Sequence, residues 1–565
     1  MEVQSSPESL SRSQKVFTMV GTLLGLLLAA LDQTIVATAG PVIQKDLGIE
    51  PALYVWITTA YLVASTVLVP IYGKLSDLFG RRRILLIAIG IFLLGSLLCG
   101  ISQSAGQLIA FRAVQGIGSA GLFTSAFAVV ADLFPPAERG KYQGIFGAAF
   151  GLSSVIGPLM GGFITDQLGW HWAFFINLPI GAIAIFFIVT RMPALRREHE
   201  VRPKLDIAGA LALATFALPL LLALSLGHAE GASAGGWTWS SWRILSLFGL
   251  AALGAASFVA IERRAASPII DLRLFENKTF AIGSVAAFVA GAAFLGAIVF
   301  LPLFMVNVVG LSATKSGLTT TPLTFGIVAA NILAGQMTSK LGRYKGLLVG
   351  SLVILVIGFA ILVLTLDPEA TQLGVSAKMV ILGIGLGPAI PLFTLAIQNA
   401  VAPPQIGVAT AAATFFRQMG ATVGLAIVGT VFATSIASAM QDRMGEATRD
   451  FPPAMRAQLA SGAAHKGGEG GGRAMFDAER IEATIDANID NDPALSPGRR
   501  AQVKADAHAS ISKVGAAFRR AFTDALLNVF MVSLAIAALA LAITLFLPSL
   551  PLRKAPMGAR PPPSE

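Results

Sequence analysis

The chain has 565 residues, 55% apolar and only 13% charged, with a mean hydropathy of +0.73 and a formal net charge of +10. A soluble domain carries about 25% charged residues, so a water-soluble protein of this size is excluded, because its folded surface would lack the charge that solubility demands. A nucleic-acid binder is excluded too, since the Lys and Arg residues fall in short segments between apolar runs and are not gathered on one soluble face. The lone Cys99 rules out a disulfide framework or a cysteine-rich metal site.

Each helical crossing of a bilayer needs roughly 20 apolar residues. The first apolar run begins at Val16 and flows into a full span with no clear small-residue cleavage site, so it reads as a helix of the mature chain. Apolar runs and breakers predict six spans at about 16–39, 53–73, 84–103, 107–131, 142–165 and 171–191. Two more follow at 206–227 and 242–261, then six at 279–307, 316–338, 346–366, 374–400, 406–438 and 523–547. The expectation is an all-α integral membrane protein in a 6+2+6 plan. Residues 1–191 form one six-helix half, 192–278 hold two additional spans, and 279–565 form the second half with an outer insert at about 440–522.

Basic residues set the orientation. With the N-terminus inside, the short inner segments hold 23 Lys and Arg residues, whereas the short outer loops hold three, Lys45, Lys315 and Lys378. All six tryptophans (56, 170, 172, 237, 239 and 242) fall at predicted outer boundaries, where amphipathic indoles collect. The expected protein is a multi-pass resident of the cell (inner) membrane, in contact with its lipids, with both termini cytoplasmic.

In chain order, the first residue with chemical content is Asp32. A carboxylate inside a span costs several kcal/mol and implies a partner or a function. At 1.5 Å per residue it lies roughly 22 Å from the inner face, and Arg112 in the fourth span lies about 6 Å deep from the outer face. In a core about 30 Å thick, the two sit at nearly one level. Such a pair is either a titratable switch or a static ion pair that fixes helix packing; the proton-coupling role is the expectation adopted. Between the second and third spans, Gly73, Asp77, Gly80 and Arg81 belong to Gly73-Lys-Leu-Ser-Asp-Leu-Phe-Gly-Arg-Arg-Arg83, where Asp77 and Arg81 are one helical turn apart. The segment Gly335-Gln-Met-Thr-Ser-Lys-Leu-Gly-Arg-Tyr-Lys345 repeats it, with Ser339 in place of the acid. Two related halves are the usual plan of a carrier that binds substrate near the midplane. The fifth span carries Gly147-x-x-x-Gly151 and Gly157-x-x-x-Gly161 with Pro158 between them: a small-residue stripe for close helix approach and a kink. Asn331 and Gln336 in the tenth span are weaker candidates for substrate contact. Arg417, about 17 Å into the thirteenth span, either lines the cavity or balances another helix's polar groups.

Two motifs mislead. Gly116-Ile-Gly-Ser-Ala-Gly121 fits a dinucleotide fingerprint but sits inside a span with no preceding strand. Gly310-Leu-Ser-Ala-Thr-Lys-Ser316 nearly fits a phosphate loop, but Thr314 occupies the second glycine's place. No nucleotide site is visible, so the expected energy source is an ion gradient, with no cofactor. The insert at 440–522 holds the run Gly467-Gly-Glu-Gly-Gly-Gly472 and Ile481, Ile485 and Ile489 at helical spacing. A lid, a docking surface for a periplasmic or other outer accessory protein, and a tolerated insertion all stay open.

These motifs, taken together, resemble the major facilitator superfamily, and within it the fourteen-span drug:proton antiporter branch. The resemblance is carried by the 73–83 loop, by Leu31-Asp-Gln-Thr-Ile-Val-Ala-Thr-Ala-Gly-Pro41 and by Arg112-Ala-Val-Gln-Gly-Ile-Gly118. Gly151, Gly157-Pro158 and Gly161-Gly162 in the fifth span and Trp170-His-Trp-Ala-Phe-Phe-Ile-Asn-Leu-Pro-Ile-Gly181 complete it. It covers nearly all of the chain outside about 440–522, with Gly40 and His171 departing from the common residues. The resemblance implies a major facilitator fold and export of small lipophilic or cationic compounds in exchange for protons. It also implies a loop at 73–83 that latches the inner side, and a fifth-span motif linked to export. A dedicated exporter of one lipid or metabolite, a non-transporting membrane sensor or scaffold, and uptake by symport are the rival readings.

Overall fold

The computed structural model describes residues 10–49, 51–193, 205–228, 237–311, 321–447 and 496–552, together with Glu482, Asp486 and Asp490. Fourteen long helices dominate the described residues. The first six are α1 (Arg12–Asp46), α2 (Pro51–Phe79), α3 (Arg81–Gly100), α4 (Ala105–Leu133), α5 (Pro136–Gln167) and α6 (Trp172–Phe175 and Asn177–Arg191). A pair follows, α7 (Ile207–Leu226) and α8 (Trp242–Glu262). The last six are α9 (Lys278–Asn307), α10 (Thr321–Leu341), α11 (Lys345–Thr365), α12 (Gln372–Leu386 and Ala389–Ala400), α13 (Ile406–Ala447) and α14 (Pro497–Leu545).

Polar residues start many of these helices by satisfying first-turn N–H groups. Ser11 and Gln14 form a capping box on α1, and Ser104, Asp206, Ser241, Asn277 and Thr371 cap α4, α7, α8, α9 and α12. Among the described residues, thirteen helices are long and apolar enough to cross a membrane. The exception is α10, also expected as a span, whose Thr321, Thr324, Asn331, Gln336, Thr338 and Ser339 dilute its apolar residues. Its 21 residues still match a bilayer core in length, and it packs between α5 and α12.

Helices α1–α6 pack into one half and α9–α14 into the other; one apolar core lies within the second half, and the other runs from the first half through α7 into Phe280, Ile397 and the start of α13. The α7–α8 pair lies against α2 and α13. With fourteen crossings, the described ends Leu10 and Leu552 share one face, here the termini face; all six tryptophans lie at the opposite, far face. At the termini face Lys345 Nζ donates to Leu545 O at 2.8 Å, a cation at the carbonyl end of α14. The Tyr344 hydroxyl donates to Pro548 O at 3.1 Å, and burial pushes its pKa above the ordinary phenol value, which keeps it a neutral donor.

Two boundaries differ from the sequence reading. The span expected at 374–400 is two helices meeting at Gly387-Pro388, because Pro388 offers no N–H to the carbonyl four residues back. The insert expected at 440–522 is not bounded where the membrane ends. Helix α13 continues to Ala447, and α14 runs unbroken from Pro497 into its span. Apolar positions extend through this arm, with Ile511, Val514, Phe518 and Phe522 buried. Arg443 and Asp524 pair across it at 2.8 Å, and Asn528 Nδ2 donates to Ser435 Oγ. The glycine run 467–472 and Ile481, Ile485 and Ile489 lie outside the described residues.

Candidate functional site

Asp32 and Arg112 meet as their depths predict. Arg112 Nη1 lies 2.5 Å from Asp32 Oδ2, with both side chains sealed from solvent. The other carboxylate oxygen accepts from Gln115 Nε2 at 2.7 Å and Asn177 Nδ2 at 2.9 Å. Arg112 Nε donates to Ile57 O, Nη1 also reaches Gln115 Oε1, and the guanidinium lies 4.3 Å from the Tyr61 ring centroid. Ser96 Oγ accepts from Gln115 and Asn177, and Tyr61 donates to Ser119 Oγ. A buried ion pair holds only if its remaining donors and acceptors are satisfied, and α2, α3, α4 and α6 supply those partners. Asn177 Oδ1 is the exception: a buried acceptor with no donor among the described residues. Neither Gln115 nor Asn177 stands out in the sequence, although they lie within Arg112–Gly118 and Trp170–Gly181. Gln115 falls one turn after Arg112, which was the available signal. Cys99 is a buried core residue beside this cluster.

The fifth-span glycines divide between two partners. Toward the termini face, Gly144 and Gly147 face Asn331 of α10, and Gly151 faces Val328; a Cβ on Gly144 would stand 2.6 Å from Asn331 O. Farther along, Gly157 and Gly161 face Thr34 and Ile35 of α1, in their own half, and Thr34 Oγ1 donates to Ser153 O at 3.0 Å. Only the first stripe therefore forms a seam between halves. Gly162 faces open space, and Pro158 is partly buried within the continuous helix.

At the termini face the halves lock together. Asp77 pairs with Arg81 at 2.5 Å, and Arg81 also holds Asp132 at 2.7 Å and Ser76 at 3.0 Å. Asp77 Oδ2 accepts from the backbone N–H of Val408 at 3.1 Å, in the first turn of α13, where a helix start favours a carboxylate. Gly73 lies against Ala411, and Gly80, at φ +91°, makes the turn that a side chain would strain. Gln143 Nε2 donates to Gln398 Oε1 at 2.8 Å, and Ser339 Oγ to Ala137 O at 2.6 Å. Asp132, Gln143 and Gln398 carried no sequence signal; only the packing of α4, α5 and α12 brings them here.

In the second half, Arg417 lines a cleft with Ala287, Leu355 and Phe393. Asn331 is buried against α5 and is a packing residue of the seam. Gln336 corrects the expectation of a cavity role: five residues past Asn331 is roughly 140° around a helix, and it is exposed beside Leu333 and Met337 on the outside of the bundle.

Two pseudo-repeated six-helix halves, locked at one end around buried ion pairs and spanning a bilayer, define a membrane carrier. Residues 22–425 match the Major Facilitator Superfamily, and the chain belongs to it. It is 36% identical over 538 residues to the multidrug transporter protein MdtP of Bacillus subtilis (strain 168), covering 95% of this chain and 93% of that one. It is 39% identical over 453 residues to multidrug resistance protein 3 of the same organism, covering 80% and 85%. The solved structure of the proton:xylose symporter XylE superposes with a TM-score of 0.54 at 14% identity, over 76% of this chain and 91% of that one, a likeness of fold alone.

Proposed function

We propose that this chain is a secondary active exporter of small lipophilic compounds that exchanges them for protons by alternating access, with both termini in the cytoplasm. The observation that carries export is the end-to-end similarity to a protein named as a multidrug transporter, at 36% identity over 95% of the chain. Proton coupling rests on Asp32, a carboxylate buried at depth and held by groups that can follow its charge. Ionised, it accepts from Arg112, Gln115 and Asn177. Protonated, it needs an acceptor, and half a turn of the Asn177 amide presents the unpartnered Oδ1. Arg112 keeps its bonds to Ile57 O and Gln115 through this change. The latch at Asp77 and Val408 stabilises the state closed at the cytoplasmic side, so proton release or uptake at Asp32 is read out as a change in which side is open. The arm formed by α13 and α14 then stands outside the cell, where an accessory protein would meet it.

One proton crossing 100 mV is worth about 2.3 kcal/mol, and each pH unit adds about 1.4 kcal/mol. Asp32→Asn cannot cycle that proton. In proteoliposomes with an imposed pH gradient, it should abolish uphill efflux while retaining substrate binding and downhill exchange. Gradient-driven efflux at the wild-type rate by Asp32→Asn would place coupling elsewhere.

A further inference from the structure

The membrane interior of the second half holds one cation near its middle and no acid. Between Lys278 and Met440, and from Ala525 to Leu552, the only carboxylates are Asp367 and Glu369, in the far-face turn between α11 and α12. Arg417 lies about 17 Å along α13 from Ile406, close to mid-depth. Among the described residues its guanidinium has no hydrogen bond, ion pair or ring partner. The buried acids of the other half are engaged, Asp32 by Arg112, and Asp77 and Asp132 by Arg81. Five N–H donors on a fixed charge in an apolar setting call for an anionic or strongly accepting partner.

The surroundings have the shape of a site. Arg417 opens on a cleft whose other walls, among them Ala287, Leu355, Phe393 and Ala421, are apolar. The break in α12 falls on the same cleft, with Ala389 and Ile390, the first residues of its second helix, in the lining. That helix start has no side-chain cap, so the N–H groups of Ala389 and Ile390 add partial positive charge. Interrupted helices whose starts face a midplane cavity suit anionic substrate groups.

We infer that this cleft is the subsite for the anionic head, a carboxylate or phosphate, of an amphipathic substrate whose apolar body lies along Ala287, Leu355 and Phe393. The inference rests on the exporter reading and moves the substrate class away from lipophilic cations, which a fixed guanidinium at this depth repels.

The test uses dansyl-undecanoic acid, its primary amide and the matching amine, with binding to the purified full chain followed by dansyl fluorescence. The acid should bind at least tenfold more tightly than the amide or the amine. Arg417→Gln should bring the acid within twofold of the amide and leave amide binding unchanged, while Arg417→Lys keeps part of the preference. Ala421→Asp, which places an internal counter-ion one turn along α13, should erase the preference by a separate route. A dansyl lysophosphatidate carried in the bilayer runs alongside. An Arg417-dependent preference confined to it assigns a lipid headgroup, and one confined to the acid assigns a soluble substrate. No Arg417-dependent preference for either anion overturns the subsite. Efflux from proteoliposomes is scored separately: amide efflux without acid preference removes the subsite alone, and acid-selective binding without efflux of any probe removes the export reading alone.

Discussion

In the first half of the molecule, Asp32 meets Arg112, and Asp77 and Asp132 share Arg81, all under a shell of hydrogen bonds. In the second half, the corresponding membrane interior carries Arg417 and no carboxylate. Yet the backbone of the repeat is retained. Gly80 and Gly342 both turn the chain at positive φ, at +91° and +65°. Gly73 and Gly335 both lie where a helix touches the opposite half, against Ala411 and Gly140. Ser339, where the first copy has Asp77, keeps a cross-half bond to Ala137 O without a charge. Glycine conformation and close approach are demanded by the crossing itself, so both copies keep them, while charge is free to diverge. One half holds its ions in closed pairs, and the other leaves Arg417 without a partner among the described residues.

The sharpest way to break this comparison is steric. At Gly335 the obstacle to a side chain is the Gly140 carbonyl, a backbone group that cannot swing aside. Gly335→Val should therefore prevent closure at the termini face and reduce transport by about 100-fold or more, the order of 3 kcal/mol that overpacking costs at a rigid contact. The protein should remain folded, and a cysteine placed at Ser339 should react with water-soluble maleimide in the variant far faster than in the parent. A smaller effect is expected electrostatically. Asp77→Asn removes the charge at the start of α13 and half of the pairing to Arg81, worth about 2 kcal/mol in a buried setting. The closed-to-open ratio should shift about 30-fold, read as distances between spin labels across the termini face. An unchanged distance distribution would mean that the glycine contacts alone close that end. The smallest effect belongs to Arg443→Ala. Its pair with Asp524 is about two-fifths exposed on both sides, so stability should change by no more than about 0.5 kcal/mol.

The fold was legible because membrane spans obey a simple length and hydropathy rule, and each of the fourteen expected spans falls on helix among the described residues, with breaks at Ile176 and at Gly387-Pro388. The break at Pro388 could have been read from the proline itself, but Pro70, Pro158, Pro219 and Pro302 sit inside helices that remain assigned as continuous. Sequence gives no way to tell these cases apart, because only neighbouring helices determine whether the freed carbonyls find new partners. The Asp32–Arg112 pair was legible from depth alone. Its supporting amides were not, since Gln115 and Asn177 reveal their role only when four helices converge on one carboxylate. Gln336 shows the reverse error: a polar residue in a span drew a cavity role, whereas helical phase places it on the bundle's outer surface.

The continuity of α14 has a mechanical consequence. Its 49 residues span a bilayer and then continue for a further 26 residues beyond the far face, roughly 39 Å at helical rise. A stiff rod anchored in one half acts as a pointer. If that half rocks against the other, each degree of tilt sweeps the tip through roughly 0.7 Å by the same rise. At its base the rod is braced by α13, through Phe432 against Phe522 and Arg443 on Asp524. Any rocking of the two halves would be magnified at that tip, at a distance where an antibody or a fluorophore can report it.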